Sequence, residues 1–344
     1  VDDNVANRES AAGLEHAERL LQHLSLVRRQ VNHTVRQNDI HTCVGERDGF
    51  DVTLQELEGF GAGHIGGAMS IVEALAVLYG SEMRCDPSNP NWEGRDRLVL
   101  SKGHAGPALY ATLSLKGFFP KEMLSELNQG GGRLPSHVDR NKTPGVDMTT
   151  GALGQGISAA IGMALGCRMN KSDSLTYLIV GDGECNEGQI WEGAIFAAAH
   201  KLDNLITFVD WNKQQLDGFT KDVLDMGDIG DKFRSFGWFV QTVNGHDIDE
   251  ILDAVLAAKA HKGSPSVIVL DTIKGYGTFA AGVEGNHHMS LTKEQMEEAI
   301  KKVSEKLEEA RAAVAYERHV DEKSTAAPVA DEPKPAVEEA DDNV

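Results

Sequence analysis

Apolar and polar positions change their rhythm along this chain. Residues 175–181, LTYLIVG, form a mostly apolar run of strand length. Such a run, ended by glycine, reads as a strand buried on both faces. Residues 187–201, EGQIWEGAIFAAAHK, carry helical spacing with small residues on one face. NLITFVD at 204–210 reads as a second strand and PSVIVLDTI at 265–273 as a third. Strand, helix and strand joined by short returns imply a right-handed crossover and a parallel sheet. The expected fold class is therefore α/β, a parallel sheet flanked by helices on both faces. A helix at 156–169, GISAAIGMALGCRM, is rich in Gly and Ala and so packs closely.

The two ends follow other rules. Residues 11–40 place Leu14, Leu20, Leu21, Leu24, Val27 and Val31 in an approximate helical stripe, which predicts a packing helix in an extension over 1–50. Residues 321–344 are rich in Ala, Pro and acid, have too little apolar surface for a core, and predict a disordered tail. Between them, 51–320 is expected to form the α/β domain.

Composition narrows the function classes. With 344 residues, 41% of them hydrophobic, the chain can bury a sizeable core. A formal charge of −20 argues against nucleic acid or an anionic membrane surface as partner. No apolar run approaches the roughly 18 residues that cross a bilayer, and VDDNVANRES lacks the apolar centre of a secretory leader. Cys43, Cys85, Cys167 and Cys185 are scattered without a CxxC, which fits a reduced, cytoplasmic protein.

The stretch with most chemical content is GDGECNEGQIWEGAIFAAAHKLDNLITFVDWN, residues 181–212. Ligands of parallel sheets bind beyond the carboxyl ends of the strands. Asp182 follows the end of one expected strand and Asn212 the end of the next, so the long gap between them returns the chain to the same edge. Gly181 and Gly183 let the backbone bend and a bulky anion approach. A carboxylate, an amide oxygen and nearby carbonyls suit a hard cation, Mg²⁺ or Ca²⁺, that keeps phosphate oxygens as its other ligands. There is no GxxxxGK[ST] loop, which disfavours an NTPase.

With its crossover helix, this GDG…N unit resembles that of the thiamine diphosphate enzymes. The resemblance implies that Asp182, Asn212 and the carbonyl of Gln214 ligate the metal. Further blocks resemble the N-terminal, diphosphate-binding (PP-type) domain of transketolase, from about Gly61 to His288: GAGHIGGAMSIVEALAVLY, RDRLVLSKGHAGPALYATLSLKGFF, LPSHVDRNKTPGVDMTTGALGQGISAAIGMA and FGWFVQTVNGHDI. By that resemblance His64 and His104 line the substrate channel near the cofactor. His137 contacts a sugar hydroxyl. Gly151 and Leu153 lie at the cofactor. Glu187 belongs to a hydrogen-bonded link between paired active sites. His288 stands near the diphosphate and substrate, and because EGNHHMSL departs from the family's usual His-Gly pair, His287 and His288 can exchange roles. Several histidines in one cleft suit ketol transfer, since neutral imidazole moves protons on sugar hydroxyls near pH 7.

The family activates its cofactor with a glutamate on a second, pyrimidine-binding domain, and no glutamate here matches that motif. The expected protein is thus the N-terminal subunit of a split transketolase, using thiamine diphosphate and Mg²⁺ on sugar phosphates of pentose phosphate metabolism. It would act with a C-terminal subunit in a two-plus-two heterotetramer. Two rivals stand beside it: the α subunit of a 2-oxo acid dehydrogenase E1 component, which shares GDG…N but is disfavoured by RDRLVLSKGH, and a non-catalytic cofactor-binding paralogue, disfavoured by intact Asp182 and Asn212.

Overall fold

In this computed structural model, residues 63–289, with 292, 294, 295, 297, 298 and 301, are described. The expected helical extension over 1–50 and the tail over 321–344 lie outside the described residues.

In chain order the elements are α1 (Ile65–Met69), α2 (Val72–Val77), β1 (Arg97–Leu100), α3 (Gly106–Lys116), α4 (Gly156–Met169), β2 (Thr176–Gly181), α5 (Gly188–Ala199), β3 (Leu205–Trp211), a small hairpin of β4 (Gln214–Gln215) and β5 (Gly218–Phe219), α6 (Thr220–Val223), α7 (Ile229–Ser235), β6 (Phe239–Asn244), α8 (Ile248–Ala260) and β7 (Ser266–Asp271). Five strands form one sheet in the order β1-β2-β3-β7-β6, and every neighbouring pair is parallel. The expected buried strands fall in its centre as β2, β3 and β7. The crossover helix α5 runs from the turn after β2 to the turn before β3.

Strand alternation divides the core in two. Tyr177, Ile179, Ile206, Phe208, Ile268 and Leu270 face one side, where they pack with residues of α1, α2, α3 and α8. Leu178, Val180, Leu205, Val209, Val267 and Val269 face the other, against α4, α5 and α7. Consecutive apolar residues in a strand thus serve opposite layers, which is why these strands read as continuous apolar runs rather than alternating ones. On α4, Ala160 and Ala164 are buried against the sheet. Such small side chains let the helix axis approach the strands.

Two strands are not apparent from the apolar pattern. β1 is only four residues long, inside RDRLVLSKGH. β6 is an edge strand in which none of the six residues is fully buried. Both pair in register with neighbours, Leu98 with Tyr177 and Val240 with Val267. No helix among the described residues is long and apolar enough to cross a membrane.

Candidate active site

The carboxyl ends of β1, β2, β3 and β7 meet at one edge of the sheet. The turns leaving these strands supply Lys102 and His104, Asp182 to Glu184, Asn212 to Leu216, and Lys274. Together with His64, Gly67, His137, Gly151, Leu153, Gly181 and His287 they line a pocket of ≈ 250 Å³.

Asp182 and Asn212 stand side by side. Gly181, the last residue of β2, pairs with Asp210 of β3, so the two strands end level. Asp182 is buried; its Oδ1 accepts from the Gly183 N–H at 2.7 Å and its Oδ2 from the Lys213 N–H at 2.6 Å. Burial, then the neighbouring Asp210, raises its pKa to about 7. Asn212 donates its Nδ2 to Asp210 Oδ2 at 2.7 Å and accepts the Gln214 N–H on Oδ1 at 3.1 Å. This fixes which end of the amide is the oxygen donor. Gln214 is buried, and its carbonyl lies 3.3 Å from Lys274 Nζ.

Behind the first row lie charged residues that the motifs did not single out. Asp210 is fully buried and accepts from Ser70 Oγ at 2.6 Å, Thr272 Oγ1 at 2.5 Å, Asn212 and the ammonium of Lys102. Lys102 and these hydrogen bonds outweigh the burial that opposes them and hold the Asp210 carboxyl below its usual pKa. Glu184 is likewise buried; it accepts from the Gly154 N–H at 2.8 Å, the Gly181 N–H at 3.1 Å and Ser101 Oγ. One carboxylate therefore ties the turn after β1, the turn after β2 and the loop before α4 together. Lys274 is depressed to about 8 by burial and by Lys102.

The histidines gather on one wall. The His64 ring is 5.5 Å from His104, 5.5 Å from His137, 5.4 Å from His287 and 4.9 Å from His288. His287 is half-buried, 4.9 Å from His104, with Nδ1 3.2 Å from Lys274 Nζ; His288 is exposed and does not line the pocket. A Cβ on Gly67 would stand 2.9 Å from His104 Nε2, so the glycine in GHIGG makes room for the second histidine. Gly151, at φ 147°, packs against His137. Leu153 is 38% exposed at the pocket rim. Glu187 lies outside the lining; it is the exposed N-cap residue of α5 and makes no side-chain capping bond.

Burial, followed by neighbouring positive groups, lowers His64 to about 4 and His287 to about 3, and pushes His104 far below its usual range. These rings are neutral near pH 7 and ready to accept or donate one hydrogen bond at each nitrogen. The imidazole protons of His64 and His287 should therefore show no protonation step of their own between pH 8 and pH 5.5 in the unloaded protein, only the small shifts passed on by the nearby titration of Lys274 and Asp182. A full protonation step with a midpoint near the unperturbed value of about 6.5 would contradict this wall of neutral rings.

The donor set suits a metal-diphosphate unit. The oxygens of Asp182, Asn212 and Gln214 match a hard cation. No group of three or more His, Cys, Asp or Glu residues poised to hold a metal occurs among the described residues, so this metal would rely on ligand oxygens as well. Two ammonium groups, Lys102 and Lys274, face the same pocket, and the buried Nε2 of Gln215 has no hydrogen-bond partner. A second cavity, of ≈ 370 Å³, opens on the other flank of Asp182 between Trp211, Phe219, Met226 and Ile229, and no histidine lines it.

Residues 51–325 match the family model for "Transketolase, thiamine diphosphate binding domain". The chain is 54% identical over 250 residues to the 6-deoxy-6-sulfo-D-fructose transketolase subunit SqwG of Clostridium sp., which covers 72% of this chain and 91% of that protein. It is 40% identical to an apulose-4-phosphate transketolase subunit of Phocaeicola vulgatus, over 72% of this chain and 88% of that one. Among solved structures, transketolase from Leishmania mexicana superposes with a TM-score of 0.72 at 32% identity. That match covers 75% of this chain and 40% of the Leishmania chain.

Proposed function

Because this chain belongs to the transketolase family, as its thiamine diphosphate-binding domain, we propose that it is one subunit of a split transketolase, moving a two-carbon ketol unit from a ketose to an aldose. The observation that carries this reading is the pocket at the ends of β1, β2, β3 and β7, where oxygen donors suited to a hard cation face a wall of histidines. The relatives named as subunits are matched over most of their length, 91% and 88%, which supports a shared division of labour.

Asp182, Asn212 and the Gln214 carbonyl would hold Mg²⁺, or Ca²⁺ in its stead, with the diphosphate. Lys102 and Lys274 would offset diphosphate charge, and Gln215 Nε2 would donate to one of its oxygens. Gly151 and Leu153 would flank the organic part of the cofactor. Thiamine diphosphate, when bound, supplies the carbanion stabilisation that ketol transfer requires. His64, His104, His137 and His287 would bind the sugar hydroxyls and move their protons, with His288 beside His64 at the exposed edge. Glu187, outside the pocket, is free to serve the proposed link toward a neighbouring active site. The exposed faces of α4 and α5 are the proposed contacts between subunits: Gly162 and Gly166 leave open space on α4, and Ile195 and Phe196 are 52% and 42% exposed on α5.

His104→Ala should lower turnover by about 10²-fold or more, the usual worth of a positioned proton-transfer group, with cofactor affinity changed by less than about threefold. Steady-state kinetics with calorimetry of cofactor binding separates the two. Equal losses in both would reassign His104 to holding the cofactor.

The substrate is tested with the partner present, by offering 6-deoxy-6-sulfofructose, apulose 4-phosphate and xylulose 5-phosphate as donors with an aldose phosphate acceptor. The 54% identity to the sulfofructose relative supports testing the sulfonated ketose first. Turnover of none of the three ketoses would count against the proposed reaction.

A further inference from the structure

NGHDI, residues 244–248, resembles a family block, yet none of its residues lines the pocket. It forms the turn between β6 and α8. Asp247 caps α8, accepting from the Asp249 N–H at 2.9 Å and the Glu250 N–H at 3.1 Å. A Cβ on Gly245 would stand 2.3 Å from Thr272 Cγ2, so only glycine lets this turn lie flush against the chain leaving β7. His246 is the residue whose purpose is left over.

Its two nitrogens have defined partners. Nε2 accepts from the Ile273 backbone N–H at 2.9 Å. Nδ1 must then carry the ring proton and donate it to Glu73 Oε1, 2.8 Å away. Glu73 sits on α2 with its side chain fully buried, and its Oε2 has no hydrogen-bond partner. Tyr276 stacks on the other side of the imidazole, 3.7 Å between centroids and 15° between planes. The ring is thus held on its edge by an acid and on its face by an aromatic ring.

What it holds is the strap of residues 272–289. Thr272 donates to Asp210, and Lys274 Nζ reaches the carbonyls of Gln214 and Gln215. The Gly275 N–H donates to the Gly66 carbonyl at 3.0 Å, and the Gly66 N–H to the Asn286 carbonyl at 3.1 Å. Asn286 Nδ2 donates to the carbonyls of Lys274 and Ala280, closing the strap into a compact loop, and His287 follows it directly. Two pocket groups, Lys274 and His287, therefore ride on this strap, which is stitched to the helix that follows His64. Where the strap leaves the sheet, apolar packing holds it weakly, since Ile273 is 46% exposed. The Ile273 N–H bond to His246 takes over that task.

We propose that His246, oriented by Glu73, is a positioning residue that latches the strap at Ile273 and so sets where Lys274 and His287 stand in the pocket. The consequence for turnover rests on the split-transketolase reading, whereas the latch itself is measured without turnover.

Hydrogen–deuterium exchange of the full chain reads the latch. His246→Leu should speed exchange over 272–289 by about tenfold or more while β2 and β3 exchange at the parent rate, because only local opening is made easier. His246→Asn keeps a donor for Glu73 but falls short of Ile273, and should give the same local acceleration if the leucine variant does not fold. His246→Gln, which can accept from Ile273 and donate to Glu73, should return the rate to within about threefold of the parent. In the complex with the partner subunit, thiamine diphosphate and Mg²⁺, the leucine variant should lose turnover about tenfold with donor KM within twofold, and glutamine should recover it. Unchanged exchange over 272–289, equal acceleration in β2 and β3, or glutamine behaving as leucine would each overturn the latch. Local acceleration without loss of turnover in an active complex would overturn its positioning role. An inactive parent complex counts against the transketolase reading, and the exchange rates still decide the latch.

Discussion

Asp182→Ala is expected to abolish Mg²⁺-dependent binding of thiamine diphosphate while the sheet survives. The carboxylate is the proposed site's sole acidic metal ligand, flanked by the neutral oxygens of Asn212 and Gln214. Outer partners of a metal site alone typically contribute 10–100-fold to affinity, so removing the charged ligand itself should cost more than about 100-fold. The fold has less to lose. Asp182 accepts two backbone N–H groups, from Gly183 and Lys213, both part-buried, so leaving them without this acceptor costs at most about 1–3 kcal/mol each. Burying this carboxyl also raises its pKa, so the native state already bears a desolvation cost that alanine removes. Calorimetry of cofactor with Mg²⁺ in the presence of the partner subunit, with far-ultraviolet circular dichroism of the chain as the control for folding, makes the comparison. Parent-like affinity in a folded Asp182→Ala protein would remove Asp182 from the metal site.

The sheet's centre is legible in the sequence because β2, β3 and β7 are buried on both faces, and burial of that kind leaves a largely apolar run without strict alternation. The edges are harder. β1 contributes only Arg97–Leu100, and β6 exposes part of every residue from Phe239 to Asn244, so neither leaves a run that stands out from its surroundings. Asp182 and Asn212 are legible together because a parallel crossover of ordinary length returns them to the same edge. Lys102, Glu184, Asp210 and Lys274 are not, although the first three lie inside quoted stretches. Their meaning lies in contacts between distant segments: Lys102 with Asp210, Glu184 with Ser101 and Gly154, Lys274 with His287. A buried charge shows itself only once its partner is in place, and the apolar pattern of LITFVD gives no hint that its final residue anchors four donors. The choice between His287 and His288 is of the same kind. Adjacent residues in an irregular strap point differently, and the tertiary path sets His287 into the pocket lining and His288 against His64 from outside it.

The second large effect concerns the partner. The pocket holds the groups proposed to bind diphosphate and move protons, and Leu153 and Leu216 stand 38% and 65% exposed beside it. Those apolar surfaces are suited to covering by a second domain that encloses the organic part of the cofactor. In the family that domain also brings the activating glutamate. A missing acid–base group lowers rates by about 10²–10⁴-fold, and an open cofactor site adds the loss of water exclusion. The chain alone should therefore bind Mg²⁺ and thiamine diphosphate weakly and transfer almost nothing.

The direct measurement is ketol transfer by the purified chain, alone and after titration with the purified subunit that carries the pyrimidine-binding domain, at saturating Mg²⁺ and thiamine diphosphate. The account predicts activity that rises with added partner and saturates at one partner per chain, with the chain alone below about one hundredth of the plateau. Full activity from this chain by itself, free of contaminating host enzyme, would contradict it.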